Sequence, residues 1–363
     1  MKRVGLTPGI GKGAAVALLA VFLLAGTAEA QRYRYRPPAA PVAAPAPALR
    51  YRELPADDRI APDGYALDDL VEEAPAPATR AALAARVAAL VPRQEYVPRP
   101  ALWRIRAERP GGADTTIWLF GTVHILPPGF RWRSPTVEAV TRQADALLVE
   151  AVDDPAERNP FAARGTALSP LAARVSPSHR GKLAALVATL PSEAAATLDT
   201  LPTWIAAVAV SVVRDIRAGE VPGPGADDWF EQAFRTAGKP VAAIEDGARV
   251  MASANAIPEA EARAMLDAAL DAPAVDREAA RAPLHAWAQG QVGPGSPIVV
   301  ALPSRSLTTA LLDRRNAAWA ASLKARLARP GRTLFVAGAG HFIGAGSVLE
   351  RLDALGVRVE RVE

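Results

Sequence analysis

Two stretches of the sequence share one arrangement, in which an apolar run ends at a glycine and a histidine follows three positions later. The first stretch is IWLFGTVH at 117–124 and the second is LFVAGAGH at 334–341. Each run predicts a buried β-strand, and the glycine would let the backbone turn sharply where the strand ends. The chain contains only 4 histidines, so two at matching positions indicate that the two strand ends share a function.

Further strands and helices are predicted to alternate along the chain. Ser134 and Pro135 form a helix start, with an N-cap residue followed by proline at the first helical position. Strands are expected at 115–120, 146–151, 239–245, 333–338 and 357–362, and helices at 258–271, 306–328 and 347–356. This alternation predicts an α/β domain with a mostly parallel central sheet flanked by helices. An Ala-rich segment at about 160–235 predicts a large helical insertion in the middle of the domain.

The first 98 residues differ in composition from the rest. Residues 1–30 combine a basic start, a short apolar run and an A-x-A sequence at 28–30, which is typical of a cleaved export signal. The apolar run is shorter than the ~20 residues that cross a bilayer, which disfavours a retained anchor. Residues 31–98 are rich in proline and alanine and predict an extended linker with a helix at 79–91. We therefore expect a domain at 99–363 that is periplasmic or secreted, with no transmembrane segment after signal cleavage.

Four ionisable side chains are expected at one edge of the predicted sheet. His124 and His341 follow two strands, and Glu150 and Glu245 end two others. The carboxyl ends of parallel strands share an edge, where open α/β sheets bind their ligands. Two imidazoles with one or two carboxylates suit a divalent zinc, manganese or cobalt ion, which makes a bound water molecule more acidic. A glutamate could then act as general base. A histidine at a strand end also commonly serves only as a structural hydrogen-bonding group.

The composition excludes several other kinds of site. The chain has no cysteine, which rules out disulfides, thiolate metal sites and a cysteine nucleophile. A net charge of +4 over 363 residues is small and does not indicate a nucleic-acid partner. His179 and His285 lie in segments without a strand-end motif, and we expect neither to be a ligand.

From about residue 100 to the C-terminus the sequence resembles the TraB/GumN family, which is related to the TIKI-type metalloproteases. The order of the two Gly-x-x-His motifs carries much of this resemblance. The similar stretches are ALWRI at 101–105, LFGTVHILPPG at 119–129, ADALLVE at 144–150, GADDWFEQAFRTAGKPVAAIE at 225–245, DRRNAAWA at 313–320 and VAGAGHFIGAGSVLERLDALGVRVERV at 336–362. Ala226 and Asp246 depart from the family pattern.

The resemblance implies a metal-dependent peptidase with His124, His341 and Glu150 as candidate ligands. Glu245 matches a second acidic position, so Glu150 and Glu245 are both candidate catalytic residues. Arg315 and Asn316 match an Arg-Asn pair of the family and are candidate substrate-binding residues. The arginine could bind a substrate carboxylate through two hydrogen bonds, or it could form a structural ion pair.

We therefore expect an exported, metal-dependent hydrolase that acts on peptide or amide bonds of an envelope substrate. The first alternative is a non-catalytic envelope binding protein whose pocket holds haem, a metal or a polysaccharide fragment, since a fold alone does not determine chemistry. The second alternative is an envelope scaffold whose N-terminal arm contacts the cell wall.

Overall fold

The computed structural model describes residues 93–108, 114–151, 168–217, 223–273, 277–293, 295–298 and 304–363, without the side chains of 215–217 and 277. The predicted export signal, the helix at 79–91 and all of the predicted linker before residue 93 lie outside these residues. None of the helices in the described ranges is both long and apolar enough to cross a membrane.

A mixed but mostly parallel sheet forms the centre of the fold. The strands are β1 (Leu102–Ala107), β2 (Thr115–Thr122), β3 (Ile125–Leu126), β4 (Ala146–Val149), β5 (Gly223–Pro224), β6 (Val241–Ala243), β7 (Gly331–Gly338) and β8 (Glu360–Arg361). Six of them form a sheet in the order β6-β4-β7-β2-β1-β8, while β3 pairs with β5 separately. The first four strands of that order are parallel, and β1 is antiparallel to β2 and β8. The predicted fold class is confirmed.

Helices occupy most of the remaining described chain. They are α1 (Pro135–Gln143), α2 (Leu171–Arg174), α3 (Arg180–Val187), α4 (Ser192–Thr200), α5 (Thr203–Arg217), α6 (Ala226–Thr236), α7 (Gly247–Asn255), α8 (Glu259–Asp271), α9 (Arg277–Ala288), α10 (Arg305–Thr308), α11 (Arg314–Arg326) and α12 (Val348–Ala354). The predicted start of α1 is confirmed, because the hydroxyl of Ser134 accepts a hydrogen bond from the backbone N–H of Val137.

Helices cover both faces of the sheet because its central strands are apolar on both sides. Successive side chains of a strand point to opposite faces. Along β2, Trp118 and Phe120 pack in one core with residues of α1, α6 and α9. Ile117 and Leu119 pack in a second core with residues of α11 and α12. The uninterrupted apolar run of β2 is therefore explained by burial on both faces.

The helices in the middle of the chain form a layer with a hydrophobic core of its own, which we call the helical layer. Leu198 of α4 and Val210 of α5 are fully buried in this core. Ala254 of α7 and Leu266 of α8 belong to the same core. The helical layer thus continues past residue 235 and includes α8, which packs along α5.

The order of the strands differs from the simplest expectation in one respect. β2, α1 and β4 form a strand–helix–strand unit with parallel strands, but the two strands are not neighbours. β7 lies between them, pairing Phe120 with Val336 on one side and Leu148 with Phe335 on the other. This insertion places the two Gly-x-x-His motifs on adjacent strands. The final strand is also shorter than expected, because only Glu360–Arg361 pairs with β1.

Neither motif glycine has a positive φ, and Gly121 is required instead for close packing. Gly121 and Gly338 are both absent from the described glycines with positive φ, and Gly338 has φ −51° and ψ 135°. The ends of β2 and β7 therefore do not use the positive φ that glycine adopts more readily than other residues. A Cβ atom on Gly121 would lie 2.9 Å from the Cα of Ala339. Glycine at this position lets the end of β2 pass directly against the segment that follows β7.

The variant Gly121→Ala is expected to lower the free energy of unfolding by about 1–3 kcal/mol, because the added methyl group displaces backbone at Ala339. Chemical denaturation at neutral pH measures this change. Gly340→Ala is the matched control, since a Cβ atom there meets no heavy atom within 4 Å. Equal stabilities of the two variants would show that the contact at Ala339 relaxes without cost.

Candidate functional site

The four ionisable residues predicted to meet at one sheet edge come from four adjacent parallel strands. In spatial order, Glu245 follows β6, Glu150 follows β4, His341 follows β7 and His124 follows β2. The ladder between β4 and β6 continues to the glutamates, where the N–H of Glu245 donates to the carbonyl of Glu150 at 3.1 Å. The carboxyl ends of these strands thus carry all four side chains on the same edge, where open α/β sheets bind ligands.

Three of these side chains border the space that a side chain at position 338 would occupy. A Cβ atom on Gly338 would lie 3.4 Å from Nε2 of His124, 3.5 Å from Oε1 of Glu150 and 3.8 Å from Cδ2 of His341. The two imidazoles, which are 217 positions apart in the sequence, therefore border one small space together with a carboxylate. A glycine at 338 keeps that space open.

Arg315 links the two glutamates. Its Nε donates to Oε1 of Glu245 at 2.9 Å, and its Nη2 donates to Oε1 of Glu245 at 2.5 Å and to Oε2 of Glu150. Its Nη1 donates to the carbonyl of Leu311 at 2.9 Å and contacts Nε2 of His341 at 3.2 Å. A guanidinium has five N–H donors, so each donor of Arg315 already has an acceptor within the protein. The predicted role of Arg315 in substrate binding stays a prediction, and here the side chain forms a buried ion pair.

A π-helical turn lies immediately before α11, the helix that carries Arg315. The turn spans Thr309–Asp313, and the N–H of Arg314 donates to the carbonyl of Thr309, five residues earlier. Turns of this kind are rare and occur frequently at functional sites. The irregular turn therefore lies close to the residue of α11 that contacts the sheet edge, Arg315.

Glu150 remains ionised despite its burial. Burial by itself raises the pKa of this carboxyl, but the charge of Arg315, the two imidazoles and the N–H of Gly338 together hold the pKa below its usual range. The N–H of Gly338 donates to Oε1 at 2.6 Å. Glu150 thus presents an anionic oxygen to the space at Gly338.

His341 is neutral, and its Nε2 accepts a hydrogen bond from Arg315. The amide nitrogen of Asn316 donates to the carbonyl of Gly346 at 3.0 Å, so Oδ1 of Asn316 accepts from Nδ1 of His341 at 2.6 Å. Burial and then the charge of Arg315 outweigh the opposing effect of Glu150 and lower the pKa of His341 to about 4. Asn316 is itself 3% exposed. It therefore fixes the ring of His341, and its predicted contact with substrate stays a prediction.

His124 is held by a carboxylate that the sequence reading did not single out. Nδ1 of His124 lies 3.2 Å from Oδ2 of Asp227, in the first turn of α6. The charge of Asp227 is the largest of the effects that raise the pKa of His124 to about 9. The adjacent acids at 227 and 228 are a visible sequence signal, but they resemble ordinary acidic residues in the first turn of a helix.

The carboxylate of Asp228 helps to cap the N-terminus of α6 and is partly buried. Its Oδ2 accepts from the N–H of Gly225 at 2.8 Å. Burial and the neighbouring charge of Asp227 raise the pKa of Asp228 to about 7. A carboxyl whose pKa is raised by folding stabilises the folded state below its unfolded pKa and loses that contribution as the pH rises through the folded value.

The parent protein is expected to lose stability as Asp228 ionises between about pH 4 and pH 7. The variant Asp228→Asn has no carboxyl to ionise there and should not show this loss. The amide oxygen can still accept from Gly225, so the helix start is kept. Relative to the parent, the variant should gain of the order of 1–2 kcal/mol between pH 5 and pH 8, a value reduced by partial solvent screening. Urea denaturation at several pH values measures this difference. Parallel pH profiles for the two proteins would contradict the expectation.

The other two histidines lie away from this edge. Nε2 of His179 contacts Oδ2 of Asp271 at 2.9 Å within the helical layer. Nδ1 of His285 contacts the hydroxyl of Tyr96 at 2.8 Å. Both rings therefore hydrogen-bond within the protein at a distance from the sheet edge.

The donor types at the edge fit a divalent cation, provided that His124 gives up a proton and that one contact gives way. His124, Glu150 and His341 supply nitrogen and oxygen atoms that zinc, manganese and cobalt accept, and two of these atoms already border the space at Gly338. Nε2 of His341 is engaged by Arg315. Within the described part of the chain, no three His, Cys, Asp or Glu side chains are grouped closely enough to hold a metal ion as they stand. Coordination by all three residues would therefore require Arg315 to release His341.

One of three comparisons with known proteins gives a match. A family model described as the TraB/PrgY/gumN family matches residues 101–361, which include every residue of the candidate site. Neither the curated proteins nor the solved structures give a match. With the family model matching more than half of its length, this chain belongs to the TraB/PrgY/gumN family.

Proposed function

We propose that this protein is an exported, metal-dependent hydrolase with peptidase-like activity, and that His124, His341 and Glu150 hold its metal ion. The observation that carries the proposal is the convergence of two imidazoles and an ionised carboxylate on the space kept open by Gly338. The resemblance to TIKI-type metalloproteases supports peptide or amide bonds as the substrate class. The signal-like residues 1–30 support export to the periplasm or beyond.

The surrounding residues have separate roles in this proposal. A divalent manganese, cobalt or zinc ion would supply Lewis-acid chemistry, polarising a substrate carbonyl and making water more acidic. Glu150 borders the reacting space and is the carboxylate placed to touch it. Glu245 accepts hydrogen bonds from Nε of Arg315 and from the indole N–H of Trp319, each at 2.9 Å. Glu245 therefore acts through Arg315, whose position it fixes.

One observation favours a non-catalytic binding protein as the second candidate. Arg315 engages both carboxylates and His341 at once, so groups that a hydrolase would use are already bonded within the protein. A pocket in this state could hold a ligand without turnover. Glu150→Gln separates the two functions, because a hydrolase should lose its rate whereas a binding protein should keep most of its affinity.

The metal content of the purified protein tests the proposal directly. Full-length protein is loaded with manganese, cobalt or zinc, and bound metal is measured after removal of excess ion. His124→Ala and His341→Ala should each lose the bound metal, because each removes one of three protein ligands. Hydrolysis of a mixed peptide pool, followed by mass spectrometry, should fall with the metal content.

His179→Ala is the matched control, since it removes an imidazole that lies in the helical layer and not at the sheet edge. This variant should bind metal as the parent does. Unchanged metal content in both site variants, or an equal loss in the control, would refute the proposed site.

A further inference from the structure

Asp227 contacts His124 through the ring nitrogen that does not border Gly338. Oδ2 of Asp227 lies 3.2 Å from Nδ1 of the ring. Nε2 of the same ring lies 3.4 Å from the position of a Cβ atom on Gly338. One nitrogen is therefore held by the carboxylate while the other borders the space at Gly338.

A short piece of backbone pairing brings this carboxylate to the ring. β3 and β5 pair two residues each, and the N–H of Ala226 donates to the carbonyl of Val123 at 2.9 Å. These bonds attach the start of α6 to the chain on either side of His124. A Cβ atom on Gly225 would collide with the carbonyl of His124 and lie 2.6 Å from Oδ1 of Asp227. Glycine at 225 is what allows the two segments to approach this closely.

Stability alone does not account for Asp227. Its Oδ1 is buried and has no hydrogen-bond partner among the described residues, which is unfavourable for a polar atom. The side chain of His124 is 48% exposed, and ion pairs with an exposed partner stabilise a fold only weakly. The clear consequence of the contact is the orientation of the His124 ring.

We propose that Asp227 is a positioning residue that fixes the ring of His124 and so presents Nε2 to a divalent cation at Gly338. This inference rests on the proposed metal site. Carboxylates that hold the second nitrogen of a ligating histidine fix its ring orientation and tautomer, and their loss typically weakens metal binding about 10–100-fold. Asp227 is the carboxylate in that position here.

The first measurement is calorimetric titration of the full-length protein with manganese or zinc at pH 8. Asp227→Asn is expected to bind the ion about 10–100-fold more weakly than the parent. Asp228→Asn is the matched control, because it removes a carboxylate one residue away that contacts Gly225 and not His124. The control should bind as the parent does, and both variants should remain folded by circular dichroism.

The second measurement needs no metal. Long-range proton–nitrogen NMR correlations report the state of each imidazole nitrogen, and His124→Gln identifies the resonances of His124 among four histidines. Asp227→Asn should shift the Nδ1 resonance of His124, whereas Asp228→Asn should leave it in place.

An unchanged Nδ1 resonance in Asp227→Asn would overturn the inference, as would equal losses of affinity in the two variants. A parent protein that binds neither ion refutes the proposed metal site and the cation-presenting role together. The NMR arm then still decides whether Asp227 fixes the ring, so the two failures are distinguishable.

Discussion

Replacing Arg315 with methionine is expected to lower the free energy of unfolding by about 3–5 kcal/mol at pH 7, because it leaves two buried carboxylates without their cation. Glu150 and Glu245 have side chains only 17% and 14% exposed, and both bond to the guanidinium. The guanidinium also packs over the ring of Trp319, 4.6 Å from its centroid. Urea denaturation of the purified variant measures the loss.

An exposed arginine provides the matched control for this variant. Arg332 pairs with Asp145 through two donors, but both side chains are more than half exposed. Arg332→Met should therefore cost less than about 1 kcal/mol. Adding Glu245→Gln to Arg315→Met should restore part of the lost stability, since one of the unpaired charges is removed. A loss no larger for Arg315→Met than for Arg332→Met would show that the buried pair contributes little.

The convergence of the two histidines could be predicted from sequence because it follows from strand direction. An apolar run that ends in a polar side chain delivers that side chain to the carboxyl edge, whatever lies between the strands. The runs before His124 and His341 are long and strongly apolar, so their identity as strands was clear. What the sequence did not reveal is that β7 lies between β2 and β4. Strand order depends on how helices pack, and no local pattern encodes it.

The partner of Arg315 could not be predicted from its neighbours in the sequence. The residue lies on α11, and its contacts with Glu150 and Glu245 are 165 and 70 positions away. The π-helical turn that precedes it has no distinctive sequence pattern. A substrate-binding role and a structural ion pair were both open from the sequence, and the structure places the side chain in an ion pair.

Asp227 was missed for a similar physical reason. Its approach to His124 depends on β3 and β5, which have two residues each and are too short to show periodicity. Gly225 was visible in the sequence, but its importance appears only when a Cβ atom is seen to collide with the backbone of His124. A close approach between distant segments depends on the tertiary structure, and a glycine is the only sign of it in the local sequence.

Gly338→Ala is expected to abolish metal binding while leaving the fold intact. The added methyl group would occupy the space that Nε2 of His124 and Oε1 of Glu150 border at 3.4 and 3.5 Å. Ligand distances to zinc are about 2.0–2.2 Å, so a cation shared by these atoms needs the volume that the methyl group takes. We expect affinity to fall by more than the roughly 10–100-fold that follows loss of an outer contact. Calorimetric titration with manganese or zinc measures the change.

The same variant should unfold within about 1 kcal/mol of the parent, because alanine adopts the backbone angles of Gly338 without strain. Those angles are φ −51° and ψ 135°. Gly340→Ala is the control, since it adds an identical methyl group two residues away with no heavy atom within 4 Å. Selective loss of binding in Gly338→Ala would place the cation between His124 and Glu150. Equal binding by both variants would mean that the ion, if bound, lies elsewhere, and the convergence at Gly338 would lose its functional meaning.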